Sequence, residues 1–308
     1  MVSLNLILVA FGLVALLVGG DLLVRGAVGV ARRFGVSPLV IGLTLVGFGT
    51  SAPELVTSLS AALAGAPAIA LGNVVGSNIA NILLILALAA LIRPVSAQMA
   101  GLPREAAWVG GSALGLAVLA VAGQISFVAG IGLLALLGVY LWGAFRSSAV
   151  PAHDVDIPTD PLPKAAMFLV VGLALTIGGA IALVDGATGI ARAYGVPEAV
   201  IGLTLVAVGT SLPELATTVM AARRGQSDVA LGNILGSGIF NILGILGTTA
   251  LFAKLPIESS LLPDIGVMLA TTAVLIGLLF WRRAISRVSG LVFLLLYAVY
   301  MAWLSQTF

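Results

Sequence analysis

The sequence predicts an all-α membrane protein with ten transmembrane helices in two inverted five-helix repeats, with broken helices at the midplane. Three observations lead to this fold class. The chain is 60% hydrophobic and only 8% charged, whereas a soluble chain carries about a quarter charged residues. Apolar segments of about 20 residues, long enough to span the hydrocarbon core as helices, recur along it. Residues 26–81 recur at 186–241, with 32 identities in 56 aligned positions and no gap.

Hydropathy and the positions of Gly, Pro and charged residues delimit the spans. The first span is predicted to be a retained helix, because no basic segment precedes it and no small-residue cleavage site follows it. The longest polar stretch, 146–164, is predicted to be a cytoplasmic linker between a first five-helix repeat, 1–145, and a second, 165–308. The ten predicted spans are 3–24, 36–63, 69–91, 105–122, 125–145, 165–185, 198–221, 229–251, 262–280 and 287–305.

Five helices per repeat is an odd number, so the second repeat must enter the membrane with the opposite orientation. The distribution of basic residues indicates which side is inside. If the N-terminus is outside, inner loops and helix ends hold all of the 14 basic residues except Arg192 and Lys254. We therefore predict both termini outside. Asp21 and Arg25, four residues apart near the inner end of the first span, are expected to form an ion pair.

The duplicated segment carries a glutamate within an apolar span in each copy, Glu54 and Glu214. A carboxylate at that depth costs roughly 2.5–3.5 kcal/mol on insertion scales, which favours a functional role. The preceding prolines, Pro53 and Pro213, break the helix and free carbonyl oxygens about one turn earlier, near residues 49–50 and 209–210. Each break is also lined by hydroxyl groups, those of Thr50 and Ser51 in the first copy and Thr210 and Ser211 in the second.

The third and eighth spans supply further oxygen atoms. Ser77 and Asn81 lie four residues apart on one helical face, and Ser237 and Asn241 repeat the pair. Hard oxygen ligands select Ca²⁺, Mg²⁺ or Na⁺ rather than zinc or copper. Two carboxylates would neutralise one divalent cation, and sodium ions at adjacent sites would share them, so the two ions would compete as an antiporter requires.

At these motifs the sequence resembles the cation/calcium exchanger superfamily, and specifically its sodium/calcium exchanger branch in bacteria and archaea. The motifs are Gly-Thr-Ser-Ala-Pro-Glu-Leu at 49–55 and Gly-Asn-Val-Val-Gly-Ser-Asn-Ile-Ala-Asn at 72–81, with their counterparts 160 positions later. The resemblance implies a role for each matching position. For Ca²⁺, the implied ligands are Glu54 and Glu214 with the carbonyls of Thr50 and Thr210. For Na⁺, they are Ser51, Ser237 and the carbonyl of Gly47 with Glu54, and Ser211, Ser77 and the carbonyl of Ala207 with Glu214. Asn81 and Asn241 would flank the centre.

The function implied is electrogenic exchange of several Na⁺ for one Ca²⁺ across a prokaryotic plasma membrane. Some relatives, including potassium-dependent ones, have Asp at the position of Asn241, so the neutral amide argues against potassium transport. Gly238 replaces the counterpart of Asn78, which is therefore not expected to be a symmetric ligand. The expected partners are the transported ions and the lipid bilayer. No cofactor and no nucleic acid are expected.

Three alternatives remain open. A H⁺/Ca²⁺ antiporter of the same fold would protonate the two glutamates, but that branch typically reads Gly-Asn-Ala-x-Glu and uses intramembrane histidines. Here His153, the only histidine, lies in the predicted linker. A passive cation channel is disfavoured because the acids pair across a repeat rather than form a ring around a pore. An enzyme is disfavoured because no nucleophile–base pair is present.

Overall fold

The computed structural model describes residues 2–98, 101–146, 160–194 and 207–306, and its long elements are all helices. Eight of the described helices are long and apolar enough to cross a membrane. A ninth span results if Pro38–Thr50 and Ala52–Leu63, which meet at 44°, form one bent helix. The chain is therefore a multi-pass membrane protein. The predicted span 198–221 lies partly outside the described residues.

The described helices are numbered in chain order. The first half contains α1 (Val2–Arg33), α2 (Pro38–Ile41), α3 (Gly47–Thr50), α4 (Ala52–Leu63), α5 (Pro67–Ala80), α6 (Ala87–Ile92), α7 (Leu102–Val121) and α8 (Phe127–Arg146). The second half contains α9 (Leu162–Ala193), α10 (Ala207–Gly209), α11 (Leu212–Arg223), α12 (Ser227–Ile239), α13 (Gly247–Phe252), a 3₁₀ turn (Ser259–Leu261), α14 (Leu262–Trp281) and α15 (Arg287–Leu304). Three π-helical segments, Gly42–Val46, Asn81–Leu86 and Phe240–Leu246, join α2 to α3, α5 to α6 and α12 to α13.

Helices α1 and α9 are longer than the sequence indicated. Each has 32 residues, or about 48 Å at 1.5 Å per residue, whereas the predicted spans stopped at residue 24, just before Arg25, and at Asp185. The predicted ion pair between Asp21 and Arg25 is wrong. Asp21 lies 2.5 Å from Arg224, and Arg25 lies 3.8 Å from Asp160. Other segments of the chain supply the partners for Asp21 and Arg25, so α1 continues past both charges.

Glycines bring α1 and α9 into backbone contact. A Cβ atom placed on Gly12 would lie 2.6 Å from the carbonyl oxygen of Gly179, and one on Gly19 would lie 2.7 Å from the backbone nitrogen of Thr176. Both distances are shorter than side chains tolerate. Small residues at helix contacts are the usual means by which membrane helices approach closely. The two long helices therefore pack as a pair along most of their length.

Two short antiparallel strand pairs connect the halves of the chain. Strand β1 (Val95–Ser96) pairs with β4 (Ala284–Ile285), and β2 (Gln124–Ile125) pairs with β3 (Leu255–Pro256). Each pair thus joins one strand from the first half to one from the second.

The centre of the molecule is formed by the third and eighth predicted spans. In the most apolar window of each helix, 89% of the residues are buried for Ser227–Phe252 and 67% for Pro67–Ile92, against 28% for Phe127–Arg146. Polar side chains on the two central helices therefore face other helices rather than lipid.

Candidate cation site

The two broken helices have nearly the same backbone conformation at the break. Ser51 has φ −83° and ψ 9°, and Ser211 has φ −90° and ψ 7°. In each case a proline follows within the first turn of the next helix, α4 or α11. The proline lacks the N–H that would continue the helical ladder, so the chain turns at the serine. The breaks predicted from the sequence are therefore present, and they start the helices that carry the glutamates.

The two glutamates are buried and are linked crosswise to the serines at the breaks. Glu54 and Glu214 are each 1% exposed. Ser51 Oγ donates to Glu214 Oε1 over 2.8 Å, and Ser211 Oγ donates to Glu54 Oε1 over 2.9 Å. Each serine thus contacts the carboxylate of the other repeat, whereas the resemblance grouped Ser51 with Glu54 and Ser211 with Glu214. The site is formed jointly by both halves of the chain.

Each carboxylate keeps one oxygen atom without a hydrogen-bond partner, Oε2 in both residues. The amides of Asn81 and Asn241, 2% and 1% exposed, add more such atoms: Oδ1 of Asn81, and both Oδ1 and Nδ2 of Asn241. Unpartnered buried oxygens are costly in a protein interior. Carboxylate and amide oxygens are the ligands that a cation with hard-oxygen preference binds, and two carboxylates match the charge of one divalent ion.

The remaining predicted site residues lie around this pair. Ser77 Oγ lies 3.5 Å from Ser211 Oγ, which places it beside Glu54. Ser237 Oγ donates to the carbonyl of Gly47 over 3.1 Å, so two groups that the resemblance assigned to one sodium site are in contact. Thr210 is partly exposed next to its break. The backbone of Ala207 begins α10, and its side chain lies outside the described residues.

The hydroxyl of Thr50 has a different environment from that of Ser51. Its Oγ1 donates to Asn233 Oδ1 over 3.1 Å and approaches the carbonyl of Gly47 at 3.3 Å. Its hydroxyl is therefore held between an amide of α12 and a backbone carbonyl of α3. The role that the resemblance implied for the backbone carbonyl of Thr50 stays a prediction.

Asn73 and Asn233 hold the glutamate-bearing helices in place. Asn73 Nδ2 donates to the carbonyl of Glu54 (3.3 Å) and to Ser58 Oγ (2.9 Å). In the second half, the amide Nδ2 of Asn233 contacts the carbonyl of Glu214 and Thr218 Oγ1 at the same two distances. These bonds run between helices, from α5 to α4 in the first half and from α12 to α11 in the second. The hydroxyls of Ser58 and Thr218 were missed, although they occupy equivalent repeat positions.

The model of the family described as "Sodium/calcium exchanger protein" matches residues 4–146 and 164–306, which is most of the chain.

The chain belongs to the sodium/calcium exchanger family.

Similar members of the sodium/calcium exchanger family include the "Sodium/calcium exchanger MaX1" of Methanosarcina acetivorans, which is 36% identical with 98% of each chain covered. The "Inner membrane protein YrbG" of Escherichia coli strain K12 is 37% identical, with 98% of this chain and 96% of the relative covered. A solved structure of the sodium-calcium exchanger NCX_Mj superposes with a TM-score of 0.89 at 36% identity, covering 98% of this chain and 99% of the other. The exchanger-family fold is therefore shared over nearly the whole chain, and the protein is a transporter rather than an enzyme.

Proposed function

We propose that this protein is a secondary antiporter that exchanges Na⁺ for Ca²⁺ across the plasma membrane by alternating access. The observation that carries the proposal is the buried pair of glutamates, each bonded by a serine of the opposite repeat and each keeping one free carboxylate oxygen. Membership of the sodium/calcium exchanger family supports cation/Ca²⁺ antiport as the activity. The crosswise bonds extend that family argument to particular residues of this chain.

The chemistry of the site accounts for ion competition. Glu54 and Glu214 together carry two negative charges, which compensate one Ca²⁺. The hydroxyls of Ser51 and Ser211 already contact the carboxylates, so sodium ions bound beside the serines would draw on the same carboxylate oxygens. Exchange of three or more Na⁺ for one Ca²⁺ would move net charge, and we propose that transport is electrogenic. The neutral amide of Asn241 adds no charge to the centre, so we propose that transport does not require K⁺.

We further propose ten spans in two inverted repeats, 1–145 and 165–308, joined by a cytoplasmic linker, 146–164. The strand pairs support this topology. Strand β1 follows α6 and pairs with β4, which follows α14, so these two helices end on the same side of the membrane. The third and ninth predicted spans end together, as inversion of the second half requires. The excess of arginine at the predicted inner ends supports a placement with both termini outside.

Uptake of radioactive Ca²⁺ into proteoliposomes tests the coupling ion. An outward Na⁺ gradient should drive uptake, a pH gradient alone should not, and a K⁺ gradient should change neither. Uptake that follows the pH gradient and ignores Na⁺ would instead identify the H⁺/Ca²⁺ antiporter, in which the two glutamates exchange protons. Uptake without any counter-gradient, down the Ca²⁺ gradient alone, would indicate a channel.

Charge-neutral variants test the site. Glu54→Gln and Glu214→Gln keep the side-chain volume but remove one negative charge, so each should reduce Na⁺-driven uptake at least about a hundred-fold, because a buried charged ligand is lost. Glu258→Gln is the matched control, since Glu258 is exposed and its carboxylate accepts a described hydrogen bond from Ser260 alone. Normal transport by either site variant would refute the assignment of the glutamates.

A further inference from the structure

A small cavity lies beside the candidate site, between the two central helices and the helices α7 and α14. Its volume is about 20 Å³, and neither glutamate lines it. Three polar side chains face it, Asn78, Asn81 and Thr272, among apolar groups that include Leu275 and Ile242. The cavity therefore touches the site through one residue, Asn81, and is otherwise separate from it.

Two of the polar side chains present unsatisfied acceptors. Oδ1 of Asn78 and Oδ1 of Asn81 are buried without a hydrogen-bond partner, in residues that are 5% and 2% exposed. The residues are three positions apart on one helix, so their side chains project from the same face. The amide nitrogen of Asn78 contacts only the sulfur of Met268, at 3.8 Å. A buried amide with so few partners carries a free-energy penalty unless another molecule bonds to it.

The cavity has room for a ligand because the repeats differ at this point. Gly238 stands at the position equivalent to Asn78, and a Cβ atom on Gly238 would lie 3.3 Å from Asn78 Oδ1. A second asparagine there would therefore fill the space that the first one faces. Because Gly238 has no side chain, the space beside the Asn78 amide stays open as the cavity.

The chemistry of the lining selects a neutral hydrogen-bond donor. Both free atoms are acceptors, and the Thr272 hydroxyl already donates to the carbonyl of Met268 over 2.7 Å. No carboxylate lines the cavity to compensate the charge of a cation. Water offers two O–H groups, and a cavity of roughly 10–15 Å³ is enough for one molecule. The volume and the donor requirement thus agree on a single water.

We propose that an ordered water molecule binds in this cavity and bridges Oδ1 of Asn78 and Oδ1 of Asn81, so that Asn78 positions Asn81 for the transported ion. The inference rests on the proposed function for the role of Asn81. A carbonyl oxygen has two lone pairs, so Asn81 Oδ1 can accept from the water and still face a cation. Asn241, whose amide atoms have no partner, has no such support. The two halves of the site are therefore inequivalent, because the bridging water supports the amide of Asn81 alone.

A crystal structure of the full chain, at a resolution that shows ordered water, tests the binding site directly. The proposal requires a water peak within hydrogen-bond distance of both asparagine oxygens. A dry cavity overturns it. So does an anomalous signal in the cavity after a Tl⁺ soak, since that result would identify a monovalent cation site. This test does not depend on transport, so a protein that failed to exchange Na⁺ for Ca²⁺ would defeat the proposed function and leave the water result standing.

Transport kinetics test the positioning role. Asn78→Leu removes the acceptor at similar volume and should raise the half-saturating Ca²⁺ concentration about five-fold, the effect of one neutral hydrogen bond, with the maximal rate unchanged. Asn78→Ser retains a hydroxyl and should stay within about two-fold of the parent. In an Asn81→Ala background, Asn78→Leu should have no further effect on that concentration, because its action passes through Asn81. Additive effects in the double variant would overturn the positioning role, even if Asn78→Leu also lowered stability. If Asn78→Leu did not fold, the crystal structure would still decide whether water bridges the two asparagines.

Discussion

Close packing between α12 and the first π-helical segment makes Gly236→Ala a demanding test of the structure. A Cβ atom at Gly236 would lie 2.6 Å from Leu43 Cα and 2.7 Å from Leu43 C, whereas ordinary Cβ contacts are 3.4–4 Å. The obstructing atoms are backbone, so no side chain can rotate away. The next residue, Ser237, donates to the carbonyl of Gly47 and would move with the helix.

The size of the effect follows from two opposing terms. Overpacking in a well-packed interior costs typically 1–3 kcal/mol, and a backbone obstacle places this variant near about 3 kcal/mol. Replacing glycine by alanine within a helix returns about 0.5–1 kcal/mol. We therefore expect the free energy of unfolding to fall by about 2 kcal/mol. Gly277→Ala is the control, because Gly277 is exposed on α14 with nothing within 4 Å of an added Cβ.

Equilibrium unfolding in mixed detergent and SDS micelles, followed by circular dichroism, measures this difference. Gly277→Ala should be as stable as the parent protein or slightly more stable. Gly236→Ala should also bind Ca²⁺ more weakly in uptake assays, since the Ser237–Gly47 contact is disturbed. If Gly236→Ala unfolded within about 0.5 kcal/mol of the parent and transported normally, the close approach of α12 to Leu43 would be refuted.

Two further predictions concern polar contacts. Asn233→Leu removes the bonds to the carbonyl of Glu214 and to two threonine hydroxyls. At about 0.6 kcal/mol for each bond between membrane helices, the same SDS titration should show that the free energy of unfolding falls by roughly 2 kcal/mol, and Ca²⁺ binding should weaken. An unchanged free energy of unfolding would contradict the contacts. Arg224→Gln removes the ion pair with Asp21; the side chains of Arg224 and Asp21 are 37% and 28% exposed. We expect the free energy of unfolding to fall by less than about 1 kcal/mol, and the difference to shrink further in high salt. A fall above about 2 kcal/mol would mean that solvent does not screen the pair.

Several features of the fold were predictable from the sequence because they depend on local chain chemistry. Apolar length identified the membrane helices, and the prolines after Ser51 and Ser211 identified the breaks. Helix ends were predicted less well. The predicted first span ended before Arg25, but α1 continues past this residue because its charge has a partner. Asp160 supplies such a partner for Arg25, and it lies far away in the sequence.

The sequence by itself determined which groups are available at the centre of this protein: two glutamates, the serines at the breaks and the amides on the central helices, each present twice. Only the tertiary structure decided which of them meet. The two repeats carry the same residues at the same spacing. The sequence is therefore equally compatible with a bond from Ser51 to Glu54 of its own repeat and with a bond from Ser51 to Glu214 of the other repeat. Packing of the two halves across each other selects the second, and the site exists only where both repeats contribute.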